Sequence, residues 1–174
     1  NMEFIFETTY NQKALTAMAK GIRKTARKKR SKRSHIWGWI VIAIAVLLTL
    51  ADINDGFAIT SNRIVTWIAT LVILVVLIFE DKINGYVARK RMLPGTEKSK
   101  AVFSEEGFSS ETEVGKTEWN YDRILMLAEN KDYFVFIFSA NHAQVYDKSS
   151  ISGGTVDEFR KFICERTEKT MVNF

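Results

Sequence analysis

The sequence predicts an α+β membrane protein in which a two-helix transmembrane hairpin is inserted into an antiparallel sheet or small barrel capped by a C-terminal helix. Three observations support this fold class. Two uncharged apolar runs lie at residues 36–51 and 64–79. Strand patterns lie before and after them, with turn signals every 8–12 residues or so beyond residue 100. A capped, amphipathic helix pattern follows the last of these strands.

The first element is a strand over residues 2–10, where Phe4 and Phe6 alternate with Glu3, Ile5 and Glu7. An isolated strand cannot satisfy its own backbone. We therefore expect this segment to pair with the strands beyond residue 100. The apolar hairpin would then interrupt a single domain and hold it at the lipid surface.

Residues 11–35 predict a basic amphipathic helix beside the membrane. Residues 1–35 carry ten basic and two acidic side chains, whereas residues 96–174 carry ten basic and fourteen acidic ones. Because the excess charge is confined to one segment, the basic pI does not indicate a nucleic-acid partner. The segment either binds the anionic inner leaflet or only fixes the topology. The predicted membrane-surface residues are Lys20, Arg23, Lys24, Arg27, Lys28, Lys29, Arg30, Lys32 and Arg33.

The two apolar runs predict membrane-spanning helices at residues 36–51 and 64–79, joined by an extracytoplasmic loop at 52–63. Each run has 16 residues. Since a span needs about 20, flanking residues must complete each helix. Trp37, Trp39 and Trp67 lie near run ends, where indoles prefer the membrane boundary. Basic residues precede the first run and follow the second in a predicted exit helix and linker, residues 80–99. The positive-inside rule therefore predicts a multi-pass cell-membrane protein with both termini in the cytoplasm.

Residues 100–170 predict a cytoplasmic strand-rich domain, closed by a helix over residues 156–169 with Thr155 as N-cap and Glu158 completing a capping box. The clearest strand, residues 133–139 (YFVFIFS), is apolar on both faces. Such a strand is either buried on both sides or contacts a partner. The candidate interaction surface, for which burial in the core is the alternative, consists of Trp119, Tyr121, Tyr133, Val135 and Ile137.

Several segments of this domain resemble the YcxB-like family of small bacterial membrane proteins. The similar segments are FSEEGF at residues 103–108, EWNYDRI at 118–124, AENKDYF at 128–134, and the terminal helix. The resemblance implies a pleckstrin-homology-like sheet and helix on the cytoplasmic side of the bacterial inner membrane, with no established activity. The chain departs from the family after the last strand, where DKSS at 147–150 replaces a frequent Pro-Lys.

The sequence predicts no catalytic, cofactor-binding or metal site. His35 and His142 lack metal-ligand spacing, and Cys164 is a lone cysteine. We therefore expect a non-catalytic membrane-anchored module whose cytoplasmic domain binds a protein partner or inner-leaflet lipid. The alternative is a bacterial immunity protein against a toxin or bacteriocin. Neither apolar run contains an ionisable residue, so a single copy is not expected to conduct ions. The sequence leaves open whether an oligomer forms a pore.

Overall fold

A computed structural model describes residues 3–51 and 59–174. They divide into two compact units: a strand-rich unit, which comprises the chain up to Lys28 and from Asp81 onward, and a helical unit, Lys29–Glu80. The fold is α+β with two long apolar helices and antiparallel sheets. The predicted loop at 52–63 lies outside the described residues over positions 52–58.

The strand-rich unit contains eight strands and two complete helices, together with the last ten residues of a third. The strands are β1 Phe4–Thr9, β2 Lys98–Phe103, β3 Phe108–Thr112, β4 Gly115–Trp119, β5 Met126–Glu129, β6 Tyr133–Ser139, β7 His142–Asp147 and β8 Met171–Asn173. The helices are α1 Gln12–Lys24, α2 Lys28–Ala51, α3 Ser61–Lys90 and α4 Val156–Thr167, of which α2 and most of α3 form the helical unit.

The strands form two four-stranded sheets, ordered β1-β2-β3-β4 and β7-β6-β5-β8. Phe4 pairs with Phe103 and Phe6 with Ala101. The predicted pairing of the early strand across the hairpin is therefore confirmed. The sequence was compatible with an antiparallel sheet or with a small barrel. Within the residues that the structure describes, the two sheets do not join into a closed barrel. All pairs are antiparallel except β5 with β8, which is parallel.

The main core lies between the two sheets and is largely aromatic. Phe6, Phe103, Phe134 and Phe136 project into it from β1, β2 and β6, and all are fully buried. Phe159 of α4 lies at the centre, with its ring centroid 4.7 Å from Phe6 and 4.9 Å from Phe103. Helix α4 is held in place by the predicted capping box, because the Thr155 and Glu158 side chains each accept a hydrogen bond from the other residue's backbone N–H.

A second core lies on the opposite face of β6, where α1 covers the sheet. Val135 and Ile137 are fully buried there against Ala14 and Ala17 of α1. The helix approaches closely because its contact residues are small. A Cβ added to Gly21 would lie 2.9 Å from Cγ1 of Val135. The doubly apolar strand is thus buried on both sides by the chain itself.

The structure has two helices where the sequence predicts one over residues 11–35. Helix α1 ends at Lys24 and α2 begins at Lys28. The Thr25 hydroxyl donates a hydrogen bond to the Gly21 carbonyl at 2.7 Å, and the Arg27 backbone N–H bonds the Ile22 carbonyl at 3.0 Å. These local bonds stabilise a tight turn in place of a continuous helix.

The helical unit consists of α2 and the first two-thirds of α3. His35 Nε2 lies 2.6 Å from Glu80 Oε2, just outside the apolar run of each helix. Thr49, Thr66 and Thr70 donate their hydroxyl protons to carbonyls four residues earlier, so these polar groups are satisfied within their own helix. Both helices are long and apolar enough to cross a membrane, and their apolar side chains are exposed.

The C-terminal segment differs from the sequence prediction at its end. Helix α4 stops at Thr167, two residues before the predicted end, because Glu168 adopts a left-handed conformation with φ 54°. The chain then forms β8, which the sequence did not predict, beside β5. Residues 123–129 are compatible in sequence with a strand or a short helical turn. In the structure a 3-10 turn at Tyr121–Arg123 precedes β5 at Met126–Glu129.

Candidate functional site

The predicted membrane-surface residues fall into three local environments. Lys20, Arg23 and Lys24 lie in the second half of α1, and Arg27 lies in the break between helices. The remaining five, Lys28, Lys29, Arg30, Lys32 and Arg33, occupy the first two turns of α2, immediately before its apolar run. The basic segment therefore belongs mainly to the same helix that contains the first predicted membrane span.

Arg23 and Arg27 are held by internal contacts. Arg23 makes two hydrogen bonds to the Asp81 carboxylate, both at 2.7 Å, and both side chains are about four-fifths buried. Arg27 donates to the Ala140 carbonyl at 2.7 Å and to the Asn141 side chain. These two arginines fix α1 and the helix break to the rest of the strand-rich unit. Their guanidinium groups bind groups of the protein itself.

The cations at the beginning of α2 are exposed to solvent. Lys28, Lys29, Arg30, Lys32 and Arg33 are all exposed, as is Lys24 just before them. With 100° of rotation per residue, these five positions cover more than half of the helix circumference. No acidic residue occurs between Glu7 and the end of α2 at Ala51. This end of α2 is thus a dense band of positive charge, which we call the basic collar, residues 28–33.

A second cationic feature is a groove of about 630 Å³ in the strand-rich unit. Its lining includes Lys13, Lys20, Lys82 and Tyr133. Lys13 pairs with Asp132 at 2.9 Å. The hydrogen bond and charge of Asp132 raise the pKa of Lys13, and the same contact lowers the pKa of Asp132. Three lysines therefore line the groove, and Asp132 pairs with one of them.

The groove lies where the C-terminal part of α3 packs on α1. Gly85 is buried against Thr16, and a Cβ at Gly85 would lie 2.8 Å from the Thr16 backbone nitrogen. Gln12 Nε2 donates to the Lys82 carbonyl at 3.1 Å. With the Arg23–Asp81 pair, these contacts fasten residues 81–90 to α1. The segment that follows the second apolar run is therefore an integral part of the strand-rich unit.

The candidate interaction surface is divided and largely covered. Tyr133, Val135 and Ile137 are buried beneath α1. Tyr121 is buried on the other side of the sheet, where its hydroxyl donates to the Ser104 carbonyl at 2.5 Å. Trp119 is half-buried and packs at a tilt against Phe138, with ring centroids 5.0 Å apart. These five side chains therefore do not form one exposed surface.

One buried ionic cluster was not predicted from the sequence. Glu129, at the end of β5, is 4% exposed and lies between two cations. Lys148 Nζ lies 2.5 Å from Glu129 Oε2, and Arg160 Nε lies 2.7 Å from Oε1. Burial acts to raise the pKa of Glu129, but the hydrogen bonds and charges of Arg160 and Lys148 outweigh it, so this pKa is lowered. The only sequence signal was a single acid at the end of an apolar strand.

The titratable residues that the sequence singled out have structural contacts. The His142 ring packs at a tilt against the rings of Trp119 and Phe138, with centroids 5.9 Å and 5.2 Å away. Cys164 is half-buried beside the main core, and burial raises the pKa of its thiol. Across residues 3–51 and 59–174, no group of three or more His, Cys, Asp or Glu side chains is placed to hold a metal ion.

Comparison with known protein families gives one match. Residues 103–163 match the model of the YcxB-like protein family, so the match covers β3 to β7 and the first two turns of α4. No curated protein and no solved structure matches the chain. The resemblance inferred from the FSEEGF, EWNYDRI and AENKDYF segments is thereby confirmed for this part of the chain.

Proposed function

We propose that the protein is a non-catalytic, membrane-anchored module whose basic collar binds anionic lipid in the cytoplasmic leaflet of the membrane that α2 and α3 cross. Its strand-rich unit, including both termini, would then lie in the cytoplasm, with the hairpin as a multi-pass anchor. The observation that carries the proposal is the exposure of all five collar cations at the beginning of an apolar helix.

The apolar side chains of the helical unit support the anchor. Leu47 is 64% exposed and Leu71 is 60% exposed, although both lie in long apolar helices. Exposed apolar surface on this scale is costly in water and favourable in hydrocarbon. His35 and Glu80 contact each other just outside the two apolar runs, where a headgroup region would begin.

The basic collar favours lipid over a protein partner as the bound species. Each cation close to an anionic surface contributes about 1 kcal/mol. The collar therefore supplies up to about 5 kcal/mol, which is more than topology alone requires. Of the residues considered as a protein-binding surface, Tyr133, Val135 and Ile137 are instead covered by α1, and Tyr121 is buried in the main core. A pleckstrin-homology-like sheet and helix, as the family resemblance implies, would serve as the rigid body that the anchor carries.

The test uses full-length protein in nanodiscs, with Trp37 as the only tryptophan. Trp37 is 62% exposed and follows Arg33 by one helical turn. We expect brominated phosphatidylglycerol to quench its fluorescence more strongly than brominated phosphatidylcholine at equal mole fraction. The fourfold variant Lys28→Gln, Lys29→Gln, Lys32→Gln, Arg33→Gln should lose this preference.

A matched control removes four lysines elsewhere. Lys98, Lys100, Lys131 and Lys161 are all exposed and lie outside the collar. Their fourfold replacement by Gln changes the net charge equally and should leave the preference intact. Equal quenching by the two lipids in the parent protein, or equal loss in both variants, would contradict the proposal. The immunity hypothesis stays a prediction, which challenge of expressing cells with toxin would test.

A further inference from the structure

The strand β4 forms one edge of its sheet. In the order β1-β2-β3-β4 it pairs with β3 on one side, and the described residues provide no strand on the other. Gly115, Lys116, Thr117 and Glu118 are all exposed. An open edge carries a row of unpaired backbone donors and acceptors, and is therefore a template for another strand.

The other sheet edges are shorter or are contacted by the chain itself. On β1, the Ile5 backbone bonds Ser152 in both directions, and the Glu7 backbone N–H donates to the Ser150 hydroxyl. On β7, the Asp147 backbone N–H donates to the Thr8 hydroxyl. The edge strand β8 has only three residues. Strand β4 is thus the five-residue edge most open to a partner.

The side chains of β4 are self-complementary. Lys116 and Glu118 flank Thr117 and lie 3.1 Å apart in an ion pair. If two copies of β4 pair antiparallel about Thr117, Lys116 of each lies opposite Glu118 of the other. Residues two apart direct their backbone polar groups to the same side, so this register also aligns the hydrogen-bonding groups of both strands.

The same charges oppose other arrangements. A lysine on an edge strand normally discourages pairing. Antiparallel pairing centred on Lys116 or on Glu118 would place like charges opposite each other, which is destabilising. Among the self-pairing registers, the alternation of Lys, Thr and Glu therefore favours the one centred on Thr117. Gly115 would lie opposite Trp119 at each end of the pair. A Cβ built on Gly115 would have no heavy atom within 4 Å, so the approach to it is open.

We propose that the outer edge of β4 is a homodimerisation surface, where two copies of this chain join their sheets through antiparallel pairing centred on Thr117. The occupant is a second copy because antiparallel pairing of two identical strands is two-fold symmetric, so the register centred on Thr117 forms the Lys116–Glu118 pair twice. The proposed function does not require this pairing, and the pairing does not require a lipid ligand.

Disulfide cross-linking of the full-length protein tests the register. Cys164 is first replaced by serine, so that only an introduced cysteine reacts. Thr117→Cys places two thiols directly opposite each other, at a Cα separation of about 4.5–5.5 Å. Glu113→Cys is the matched control, because it is exposed in the preceding turn and would lie eight positions out of register, about 26 Å from its copy. We expect a cross-linked dimer with T117C and monomer with E113C under a mild oxidant.

Charge exchange tests the complementarity in the T117C background. Lys116→Glu or Glu118→Lys alone creates two like-charged cross-strand pairs, and should weaken dimerisation by about twofold to thirtyfold. The double exchange K116E/E118K restores opposite charges on both sides, and should recover cross-linking to within about twofold of T117C. Absence of cross-linking in T117C, equal cross-linking in E113C, or a double variant no better than the single ones would overturn the proposal.

Discussion

Replacement of Glu129 by glutamine should destabilise the strand-rich unit far more than the loss of one charge at its surface. The substitution keeps the shape of the side chain but removes the negative charge that lies between Lys148 and Arg160. Lys148 has 11% of its side chain exposed, and its Nζ also bonds the Asn130 carbonyl at 2.6 Å. In E129Q this ammonium stays buried without its counter-ion.

The expected loss of unfolding free energy follows from the burial of Lys148. Removing one partner of a buried ion pair costs about 3–5 kcal/mol, because the other charge is left uncompensated. The matched control is Glu165→Gln, which removes a carboxylate whose side chain is 67% exposed and lies 3.9 Å from Lys161. An exposed pair of this kind contributes about 0–1 kcal/mol. We therefore expect a difference of at least about 2 kcal/mol between the two variants.

The assay is urea unfolding of the full-length protein in mild detergent, followed by Trp119 fluorescence after the three hairpin tryptophans are replaced by phenylalanine. Trp119 reports on the core because its ring packs against Phe138 and Phe108 at the edge of the main core. The pKa of Glu129 is lowered from its ordinary value of 4.5 in the folded state. Its stabilisation is therefore present above that value and is lost as the pH falls through the folded-state pKa. The wild-type protein and E129Q should converge in stability at low pH.

Two results would refute this reasoning. Equal loss of unfolding free energy in E129Q and E165Q would show that the Glu129 cluster contributes no more than a surface pair. A difference between wild type and E129Q that did not shrink on acidification would show that the charge of Glu129 is not the source of the stabilisation.

Three further perturbations test the packing around the site. Gly85→Ala should lower the thermal midpoint of the strand-rich unit, because its Cβ would collide with the Thr16 backbone, whereas the exposed neighbour Asn84→Ala should not. A double-mutant cycle on Arg23→Ala and Asp81→Ala should give a coupling free energy of about 0.5–3 kcal/mol in urea unfolding, and additive single effects would contradict the paired geometry. Thr155→Ala should cost about 1 kcal/mol and increase amide exchange in the first turn of α4, and an unchanged exchange rate would argue against the capping box.

Strands β1 and β6 could be predicted from the sequence because their patterns are local. Strand β6 has the bounds that its apolar run indicated, and β1 pairs across the hairpin as expected from its need for a partner. For β6, burial on both faces was one of two alternatives that the sequence left open, the other being contact with a partner. The partner that decides between them is α1, which contacts the sheet through Ala14, Ala17 and Gly21. The spacing of Leu15, Met18 and Ile22 already indicated this face of α1, and Leu15 and Ile22 are buried in the structure. The small residues that allow the close approach carry little hydrophobic signal of their own.

The parts that were missed depend on contacts between distant residues. The break after α1 lies in a run of good helix formers, and only the Thr25 hydroxyl and the turn around Ile22 reveal it. The cluster at Glu129 joins side chains from β5, the turn after β7, and α4. Strand β8 is short, and its pairing with β5 rests on three residue pairs. None of these features is marked in the sequence by a hydrophobic period or by a motif with fixed spacing.

The position of β1 has a consequence for the order in which the chain acquires its structure. Thr9 pairs with Lys98, so a strand made early in synthesis has its partner only after both apolar helices have been made. Closing a flexible loop of that length costs about 4 kcal/mol of chain entropy. Formation of the α2–α3 pair brings His35 to Glu80 and removes about half of the intervening chain from the loop. The helical hairpin would therefore form before the sheet it interrupts, and substitutions that weaken it should slow the folding of the strand-rich unit even where they leave that unit's equilibrium stability unchanged.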